Sequence, residues 1–383
     1  MAKVDSVKAP IVISDDKERE KVIEKTLAEM NKQFGAGSIS ALGNMGNMDV
    51  EHVSTGSLAF DYITGGGLAR GRIHEIFGPE GSGKTSVALQ TIATVQRNGG
   101  VAAFIDMEHA LDPKQAARLG VNVKKLLVSQ PDYAEQALDM MIALISSGAV
   151  DIVVLDSVAA LVPKAEVEGN MEHIEVGTMA RILGKGLRKI TGLASQTNTI
   201  VVFINQVREA VGVLYGPNEV TPGGKSLKFY SSIRVRVSKS KVLTNKNQPV
   251  GQHVFLKCAK NKVGIPFLNA ETDFYFRGGM DLGYDIMTYG TLFNVINKTS
   301  GKYCKPDGTP IVYNGEDVRN KETLAAALHD KSTGLQELYY QPVLDAMDRK
   351  IQDAFDDSDN GEATESDEDL EDDENYDETA DMD

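Results

Sequence analysis

The sequence predicts an α/β protein with a mixed, mainly parallel central sheet, a small N-terminal helical module and a small α+β C-terminal module. Between residues 53 and 277, short β-branched runs alternate with helical patterns, which is typical of a parallel sheet covered by helices. One helical pattern precedes this region, and Gly-rich turns with a further helical pattern follow it. We therefore expect modules at residues 1–45, 46–280 and 281–352, followed by a disordered acidic tail at 353–383.

The strands of the sheet are predicted from short apolar runs. Runs at 72–77, 101–105, 151–155 and 200–204 are each followed or preceded by a helical pattern, so they are expected to be parallel strands. Two later runs, at 233–238 and 253–257, lie close enough in sequence to pair as antiparallel strands. The sheet is therefore predicted to be mixed.

Helical periodicity is clearest near the two ends of the chain. Residues 15–34 are predicted to form a helix, and the Gly, Ser and Asn residues of 35–47 indicate a linker after it. Residues 336–355 are predicted to form a second helix. The apolar face of the first helix comprises Val22, Ile23, Leu27, Met30 and Phe34.

The net charge of −15 is concentrated at the C-terminal end. From Asp353 onward there are 17 acidic residues and no Lys or Arg, which leaves 38 of the 55 acidic residues against 40 basic ones in the rest of the chain. The body is therefore nearly neutral, and the tail has too little apolar surface to fold. The acidic total does not exclude a nucleic-acid partner.

Cysteine usage and hydropathy bear on the compartment. The chain has only Cys258 and Cys304, which are too far apart in sequence to form a metal-binding cluster and suit a reducing compartment. No run approaches the roughly 18 apolar residues of a membrane span. We therefore expect a soluble, cytoplasmic protein without a zinc site.

Residues 78–85 carry a phosphate-binding motif, G-x-x-x-x-G-K-[ST], between an apolar strand and a helical pattern. Backbone N–H groups of such a loop point at phosphate, and the following helix contributes the positive end of its dipole. We expect Lys84 to reach the β- and γ-phosphates of ATP and Thr85 to ligate Mg²⁺. The alternative is a Gly-rich turn without a ligand. The motif comprises Gly78, Pro79, Glu80, Gly81, Ser82, Gly83, Lys84 and Thr85.

Two acidic residues follow predicted parallel strands, at the edge of the sheet where such folds bind ligands. Asp156 follows the apolar run 152–155 and is predicted to lie on the Mg²⁺ side of the site; alternatively, it caps the next helix. Glu108 is predicted to orient the attacking water, with Asp106 and His109 in support. An ion pair or a cap is the alternative role of Glu108.

Gln206 ends another predicted strand and begins a glycine-bearing segment at 207–224 that has no clear period. A side-chain amide at this position could sense the γ-phosphate and pass the signal into a mobile loop. The alternative is a solvated amide at the end of a strand.

These motifs, taken in order with their flanks, resemble the bacterial RecA recombinase family over about residues 15–280. The resemblance does not depend on the phosphate-binding loop alone. The other matching stretches are KQFG at 32–35, STGSL at 54–58, MEHALDP at 107–113, LDSVAAL at 155–161, FINQVR at 203–208, GG at 223–224, LKFY at 227–230 and KNK at 260–262.

The resemblance implies a RecA-type ATPase core and a DNA-dependent ATPase that forms a helical filament on single-stranded DNA. The implied function is homologous pairing and strand exchange with duplex DNA, in recombination, DNA repair and the SOS response to DNA damage. ATP and Mg²⁺ are the implied cofactors, and repressor and mediator proteins are further implied partners. Asp112 is available for the edge of the adenine ring.

The resemblance also implies two mobile DNA-binding loops, at 166–178 and 207–225. The first is acidic, so backbone N–H groups and the arginines beyond it must meet phosphate. Without the resemblance, both would be read simply as flexible surface loops. The residues implied to contact DNA are Arg181, Arg188, Arg208, Gly223, Gly224 and Lys225.

A subunit interface is implied around Phe34, Lys228 and Phe229. Lys260 and Lys262 are implied to reach the ATP of a neighbouring subunit, where a cation supplied in trans would neutralise charge that develops at the γ-phosphate. By composition alone, these two residues would be ordinary solvated lysines.

The chain departs from the family pattern at three places. Gln115 stands where the family often has a Tyr against the adenine ring, which weakens base stacking. Ala210 stands where a basic residue is common, which removes one phosphate contact. The module at 281–352 resembles the family only loosely, and duplex DNA binding is its implied role.

Two other functions are alternatives on the same type of core. A ring-forming helicase or branch-migration ATPase is built on a related core, but the sequence carries no C-x-x-C zinc ribbon and has a helix of the filament type at its N-terminus. A regulatory ATPase that binds partner proteins would not be stimulated by single-stranded DNA. The acidic tail is expected to compete with DNA for basic surfaces, the alternative being that it only confers solubility or recruits partners.

Overall fold

The computed structural model describes residues 15–35, 39, 50–169, 177–209 and 219–359. The chain divides into two compact units, Met1–Val50 and Glu51–Asp383. The first unit contains helix α1 (Asp16–Phe34), which confirms the helix predicted there. It begins where the Asp15 carboxylate accepts a hydrogen bond of 2.9 Å from the backbone N–H of Glu18.

The second unit alternates strands and helices as predicted. Its strands are β1 (His52–Val53), β2 (Leu68–Ala69), β3 (Ile73–Gly78), β4 (Ala102–Asp106), β5 (Leu127–Ser129), β6 (Ile152–Asp156), β7 (Ile200–Gln206), β8 (Arg208–Glu209), β9 (Glu219–Val220), β10 (Ile233–Asn245), β11 (Gln248–Asn261), β12 (Asn269–Tyr275), β13 (Gly279–Met280), β14 (Asn297–Thr299), β15 (Lys302–Cys304), β16 (Val312–Tyr313) and β17 (Glu316–Asp317). Its helices are α2 (Leu58–Thr64), α3 (Lys84–Arg97), α4 (Pro113–Arg118), α5 (Ala134–Ser146), α6 (Lys164–Glu168), α7 (Thr178–Thr197), α8 (Lys225–Tyr230), α9 (Leu282–Leu292), α10 (Lys321–His329) and α11 (Leu335–Asp359).

One nine-stranded sheet organises this unit, in the order β13-β12-β11-β10-β3-β7-β6-β4-β5. The six strands from β10 to β5 are parallel to one another, and β11, β12 and β13 extend the sheet by antiparallel pairing. The predicted mixed, mainly parallel sheet is therefore confirmed.

The central strands are buried because helices cover the sheet. Residues 152–155 of β6 are each fully buried, which explains why this strand reads as a continuous apolar run rather than an alternating one. Helices α5 and α7 pack together over part of the sheet and share one apolar cluster with the neighbouring strands. Helix α3 packs on β3, β4, β6 and β7, so the loop before α3 is held at the edge of the sheet.

The hairpin formed by β10 and β11 is longer than the two predicted runs, 233–238 and 253–257. Its two-residue turn, Lys246 and Asn247, has positive φ angles of 49° and 60°, the conformation that matches the twist of paired strands. The predicted run ended at Ser238 because the alternation of apolar residues ends there. Backbone pairing nevertheless continues through the mostly polar residues that follow, as far as the turn.

Helices α9, α10 and α11 pack against one another, and α9 and α11 also pack on α2. Tyr340 of α11 donates a hydrogen bond of 2.7 Å to the buried Asp61 carboxylate of α2. The predicted helix 336–355 is α11, which runs on to Asp359. The module boundaries at 45, 280 and 352 stay predictions.

The remaining predictions about the backbone concern segments that are only partly described. Ala210 lies outside the described residues, as do positions 170–176 of the first predicted DNA-binding loop and the acidic tail from 360 onward. Among the helices that the structure describes, none combines the length and apolar character needed to span a membrane.

Candidate active site

The phosphate-binding loop connects β3 to α3, and two of its glycines are required by close contacts. A Cβ atom on Gly78 would lie 2.0 Å from the carbonyl oxygen of Val237. Gly83 has a φ of 96°, and a Cβ there would lie 3.3 Å from the ring of Phe274. Only glycine fits both positions without strain, so the motif reflects the packing of the loop against β10 and β12.

Lys84 is buried beneath the loop, at the first position of α3. Its Nζ donates hydrogen bonds to the carbonyl oxygens of Gly78 at 3.0 Å and Pro79 at 2.6 Å. Burial lowers the pKa of Lys84, although the charges of Asp156, Glu108 and Glu80 oppose that effect. An anion in the loop would therefore meet a cation that is already held in place.

A cavity of about 350 Å³ opens over this loop. Within it, the buried hydroxyl of Ser82 has no hydrogen-bond partner among the described residues. Burying a hydroxyl without a hydrogen-bond partner costs free energy, so the Ser82 hydroxyl indicates that a polar ligand binds in this cavity. The cavity is lined by Glu80, Gly81, Ser82, Gly83, Lys84, Thr85, Ser86, Glu108, Asp156, Ile204, Gln206, Phe274 and Phe276.

Thr85 and Asp156 meet at the floor of the cavity. The Thr85 hydroxyl donates a hydrogen bond of 2.6 Å to Asp156, which is 6% exposed. Burial, helped by the nearby charges of Glu108 and Asp106, raises the pKa of Asp156 to about 7, although the Thr85 hydrogen bond and the Lys84 charge oppose this rise. A buried carboxylate beside a hydroxyl is a suitable pair of oxygen ligands for Mg²⁺, which keeps several waters and uses few protein ligands. The residues therefore fit the predicted magnesium site.

Glu108 and Gln206, which the sequence predicted separately, are in direct contact. Glu108 Oε1 accepts hydrogen bonds from the Ser157 hydroxyl at 2.5 Å and from Gln206 Nε2 at 3.0 Å. The three residues follow or end β4, β6 and β7, so the carboxyl ends of three adjacent strands converge on one carboxylate. The contact with Ser157 was not predicted, although Ser157 directly follows Asp156.

Asp106 has a structural role next to Glu108. Its carboxylate accepts hydrogen bonds from the backbone N–H groups of Ala110 and Leu111 and from Gln130 Nε2, at 3.0 to 3.3 Å. It thereby holds the turn that carries Glu108.

A buried ion pair that the sequence analysis missed lies beneath the site. Arg234 Nε donates to Glu75 Oε2 at 2.6 Å, and both side chains are buried. Asn205 Nδ2 donates to Glu75 Oε1 at 2.9 Å and to the carbonyl oxygen of Pro222 at 3.1 Å. The available signal was the presence of Glu75 inside the apolar run IHEIF and of Arg234 inside the run IRVRV.

Four of the residues predicted at or across the subunit interface cluster at the amino ends of the parallel strands, opposite the ends that carry the phosphate-binding loop: Lys228, Phe229, Lys260 and Lys262. Lys260 Nζ donates to the carbonyl oxygens of Lys228 at 2.5 Å and Phe229 at 3.2 Å, and Lys262 Nζ donates to that of Phe229 at 3.0 Å. The Phe229 side chain is 60% exposed. Phe34, also predicted at the interface, ends α1 in the other compact unit.

The lysine cluster lies far from the phosphate-binding loop of the same chain. Lys262 N donates to Ser232 O, and Ser232 N to Ile73 O, so the cluster adjoins the start of β3. The loop follows the end of β3, five residues later, which is roughly 16 Å along a strand. Burial, together with the charges of Lys262 and Arg234, lowers the pKa of Lys260 to about 8.

The candidate DNA-binding residues occupy two places. Arg181 and Arg188 are exposed on α7, and because they are seven residues apart they share a helix face. Arg208 lies in β8, which pairs with β9 across the incompletely described second loop. Gly223 and Gly224, with φ angles of 91° and 73°, lead into α8, which begins at Lys225. Their role in DNA binding stays a prediction.

The residues near the predicted base site line a second cavity of about 280 Å³ beside the first. Asp112 accepts a hydrogen bond from the backbone N–H of Lys114 at 2.8 Å and caps α4. Gln115 Nε2 donates to the carbonyl oxygen of Phe276 at 2.8 Å. The rings of Phe274 and Phe276 pack edge to face, 6.2 Å apart, and both residues line the first cavity. The sequence analysis did not predict these two aromatic residues.

Comparison with known proteins identifies the family. The family model for the RecA N-terminal domain matches residues 21–281. Protein RecA of Symbiobacterium thermophilum is 51% identical over 296 residues, covering 76% of this chain and 85% of that protein. Protein RecA of Bacillus subtilis is 50% identical over 287 residues, covering 75% and 82%. A solved structure of the RadB recombinase aligns with a TM-score of 0.46 at 22% identity, covering 59% of this chain and 97% of that one.

The family match includes the phosphate-binding loop and the predicted site residues Glu108, Asp156, Gln206, Lys260 and Lys262. It extends over more than half of the chain, and the identity to the curated relatives is about one half over three quarters of it. The chain therefore belongs to the RecA family.

Proposed function

We propose that this chain is a DNA-dependent ATPase that forms a helical filament on single-stranded DNA and catalyses homologous pairing and strand exchange with duplex DNA. The observation that carries the proposal is the separation of two partial sites. The phosphate-binding loop and Glu108 lie at the carboxyl ends of the parallel strands, and the lysine cluster lies at their amino ends. The lysine cluster is too far from the loop of its own chain to contact a phosphate bound there, so we infer that a second copy of the chain would bring its lysines to that phosphate.

The residues around the loop suit the hydrolysis of ATP. The backbone N–H groups of the loop and the start of α3 would hold the phosphates, and Lys84 would contact their β- and γ-oxygens. Thr85 and Asp156 would hold Mg²⁺, which neutralises charge on the phosphate oxygens when it is bound. Phosphoryl transfer needs mainly positioning and electrostatic stabilisation, so one oriented carboxylate is sufficient to place the water.

Glu108 is the residue that we assign to the water. Its Oε1 has two donors, Ser157 and Gln206, and within the described part of the chain no group donates to its Oε2, which would accept a proton from a water molecule that attacks the γ-phosphate. Gln206 is thereby in a position to respond to the same phosphate, because its amide has to rearrange if Glu108 moves.

The route from the site to DNA runs through two neighbouring residues. Gln206 bonds Glu108, and the adjacent Asn205 bonds the carbonyl oxygen of Pro222, at the return of the second loop. We assign the contacts with single-stranded DNA to Arg208, Gly223, Gly224 and Lys225 of this loop. A change at the γ-phosphate would thereby alter the ends of the DNA-binding segment.

The experiment that tests the proposal compares ATP hydrolysis with and without single-stranded DNA, alongside negative-stain images. We expect DNA to stimulate hydrolysis and helical filaments to form in the presence of ATP. Stimulated hydrolysis with closed rings would support a ring-forming helicase instead. Hydrolysis that does not respond to DNA would contradict the proposal and favour a regulatory ATPase.

A further inference from the structure

Side chains of the β10–β11 hairpin donate hydrogen bonds to backbone carbonyl groups of the phosphate-binding loop. Gln252 Nε2 donates a hydrogen bond of 2.7 Å to the carbonyl oxygen of Gly81, and Lys239 Nζ lies 3.4 Å from that of Glu80. Gln252 is 5% exposed, so its amide is shielded from water. The two donors therefore hold two consecutive carbonyl groups of the loop.

The direction of these carbonyls decides where the next N–H groups point. The peptide bonds after Glu80 and Gly81 are trans. In a planar trans peptide, the C=O and N–H bonds point in opposite directions. Because Gln252 draws the Gly81 carbonyl toward the hairpin, the N–H of Ser82 is directed away from it, on the side of the cavity that Gly81, Ser82 and Gly83 line.

The loop needs such a restraint because of its own composition. Gly81 and Gly83 have φ angles of 70° and 96°, and glycine permits many other conformations at little cost. A loop that must be ordered when phosphate binds loses affinity, whereas a loop that is already ordered does not. Gln252 itself is fixed, because its backbone pairs with that of Phe274 in the β11–β12 ladder, and the Phe274 ring faces Gly83.

We propose that Gln252 is a positioning residue that sets the affinity for the nucleotide by fixing the N–H groups of the loop toward the phosphates. The proposal rests on the ATPase function proposed above and adds a residue outside the motif to that site. Since the phosphates are held alike before and during hydrolysis, losing the restraint should raise KM and leave kcat nearly unchanged.

Two substitutions separate the hydrogen bond from the packing. Gln252→Met keeps a similar side-chain length and removes the donor. Gln252→Glu keeps the shape and replaces the donor by a carboxylate that repels the Gly81 carbonyl when it is ionised. Gln248→Glu is the matched control, because it introduces the same charge at an exposed position on the same strand.

The measurements are the Kd for a fluorescent ATP analogue, KM and kcat for DNA-stimulated hydrolysis, and the Tm of each variant. We expect Gln252→Met to raise Kd and KM about fivefold, the effect of one neutral hydrogen bond. Gln252→Glu should raise them about tenfold or more at pH 8, because repulsion is added to the loss of the donor. Gln248→Glu should match the parental protein.

A pH series distinguishes positioning from packing. An introduced carboxyl that is protonated has an O–H group and donates to the Gly81 carbonyl again, so the affinity of Gln252→Glu relative to the parental protein should recover toward pH 5.5. Gln252→Met should not recover. Parental Kd and KM in both variants, a fall in kcat alone, or no recovery at low pH would each overturn the proposal.

The two proposals fail in different ways. A parental protein that does not bind the ATP analogue, or that hydrolyses ATP without a response to DNA, contradicts the proposed function. A parental protein that does both, with variants that do so equally well, contradicts only the role of Gln252.

Discussion

At the scale of single residues, the site combines residues that were predicted from the sequence with residues whose contacts are seen only in the folded chain. Asp156, Glu108 and Gln206 were predicted because each follows or ends an apolar run, and the carboxyl ends of parallel strands lie at one edge of a sheet. Ser157 and Phe274 were not predicted. Their roles depend on contacts between strands that are distant in sequence, and periodicity carries no information about such contacts.

The different roles of Lys84 and Glu108 give a first prediction. Lys84→Ala should abolish ATP binding and hydrolysis because the phosphates lose their point charge. Glu108→Gln should bind ATP as the parental protein does, but its rate of hydrolysis should fall by at least about 100-fold, because an amide cannot accept the proton of the water. Nucleotide binding and single-turnover hydrolysis measure the two effects. Parental hydrolysis by Glu108→Gln would show that another group orients the water.

Asp285 gives a second prediction, about stability. It is fully buried in α9, accepts hydrogen bonds from Ser57 and Ala59 through Oδ2, and has no partner for Oδ1 among the described residues. Burial raises the pKa of its carboxyl from the ordinary 3.8 to about 7, so the folded chain favours the protonated form. The stability that Asp285 contributes is complete below pH 4 and is lost as the pH rises through about 7.

Asp285→Asn should remove this part of the pH dependence. We expect the free energy of unfolding, measured in urea, to exceed that of the parental protein at pH 8 and to show no gain at pH 4. Asp139→Asn changes an exposed carboxyl of α5 and serves as the control. An Asp285→Asn protein whose stability follows the parental pH profile would refute this account.

At the scale of elements, Glu75 and Arg234 connect the strand before the phosphate-binding loop to β10. Removing one partner of a buried ion pair leaves an uncompensated charge, which typically costs about 3–5 kcal/mol. Arg234→Met should therefore lower the free energy of unfolding by about that amount. The double variant Glu75→Gln with Arg234→Met should recover most of it. Chemical denaturation of the two single variants and the double variant measures this, and equal loss in all three would contradict it.

The elements also show how far the sequence predicts the fold. The four central strands and both terminal helices were predicted within a few residues, because the strands are largely apolar runs and the helices have a clear apolar period. β12 was missed, and β10 and β11 were predicted too short. Their outer parts, such as residues 239–245, are mostly polar and largely exposed. They are strands because backbone hydrogen bonds to a neighbouring strand hold them there, which apolar periodicity does not record.

At the scale of the whole molecule, the proposed division of the site between subunits predicts complementation. Lys84→Ala and Lys260→Ala should each hydrolyse ATP poorly alone. Mixed together, they should regain activity wherever an intact ATP-binding edge meets an intact lysine edge. Hydrolysis measured across mixing ratios should peak between the two pure proteins. Failure to recover at any ratio would refute action in trans.

The opposite placement of the loop and the lysine cluster along β3 has a consequence for how catalysis scales with assembly. Contacts between unlike faces that do not close leave one unmatched face at each end of a row of copies. If each copy completes its neighbour's site, a row of n copies has n − 1 working sites. A pair would then have one site for two subunits, and turnover per subunit would approach a constant only in long rows. The two ends would also differ chemically, because the subunit whose loop faces outward would keep its ATP intact, while every subunit behind it hydrolyses its own.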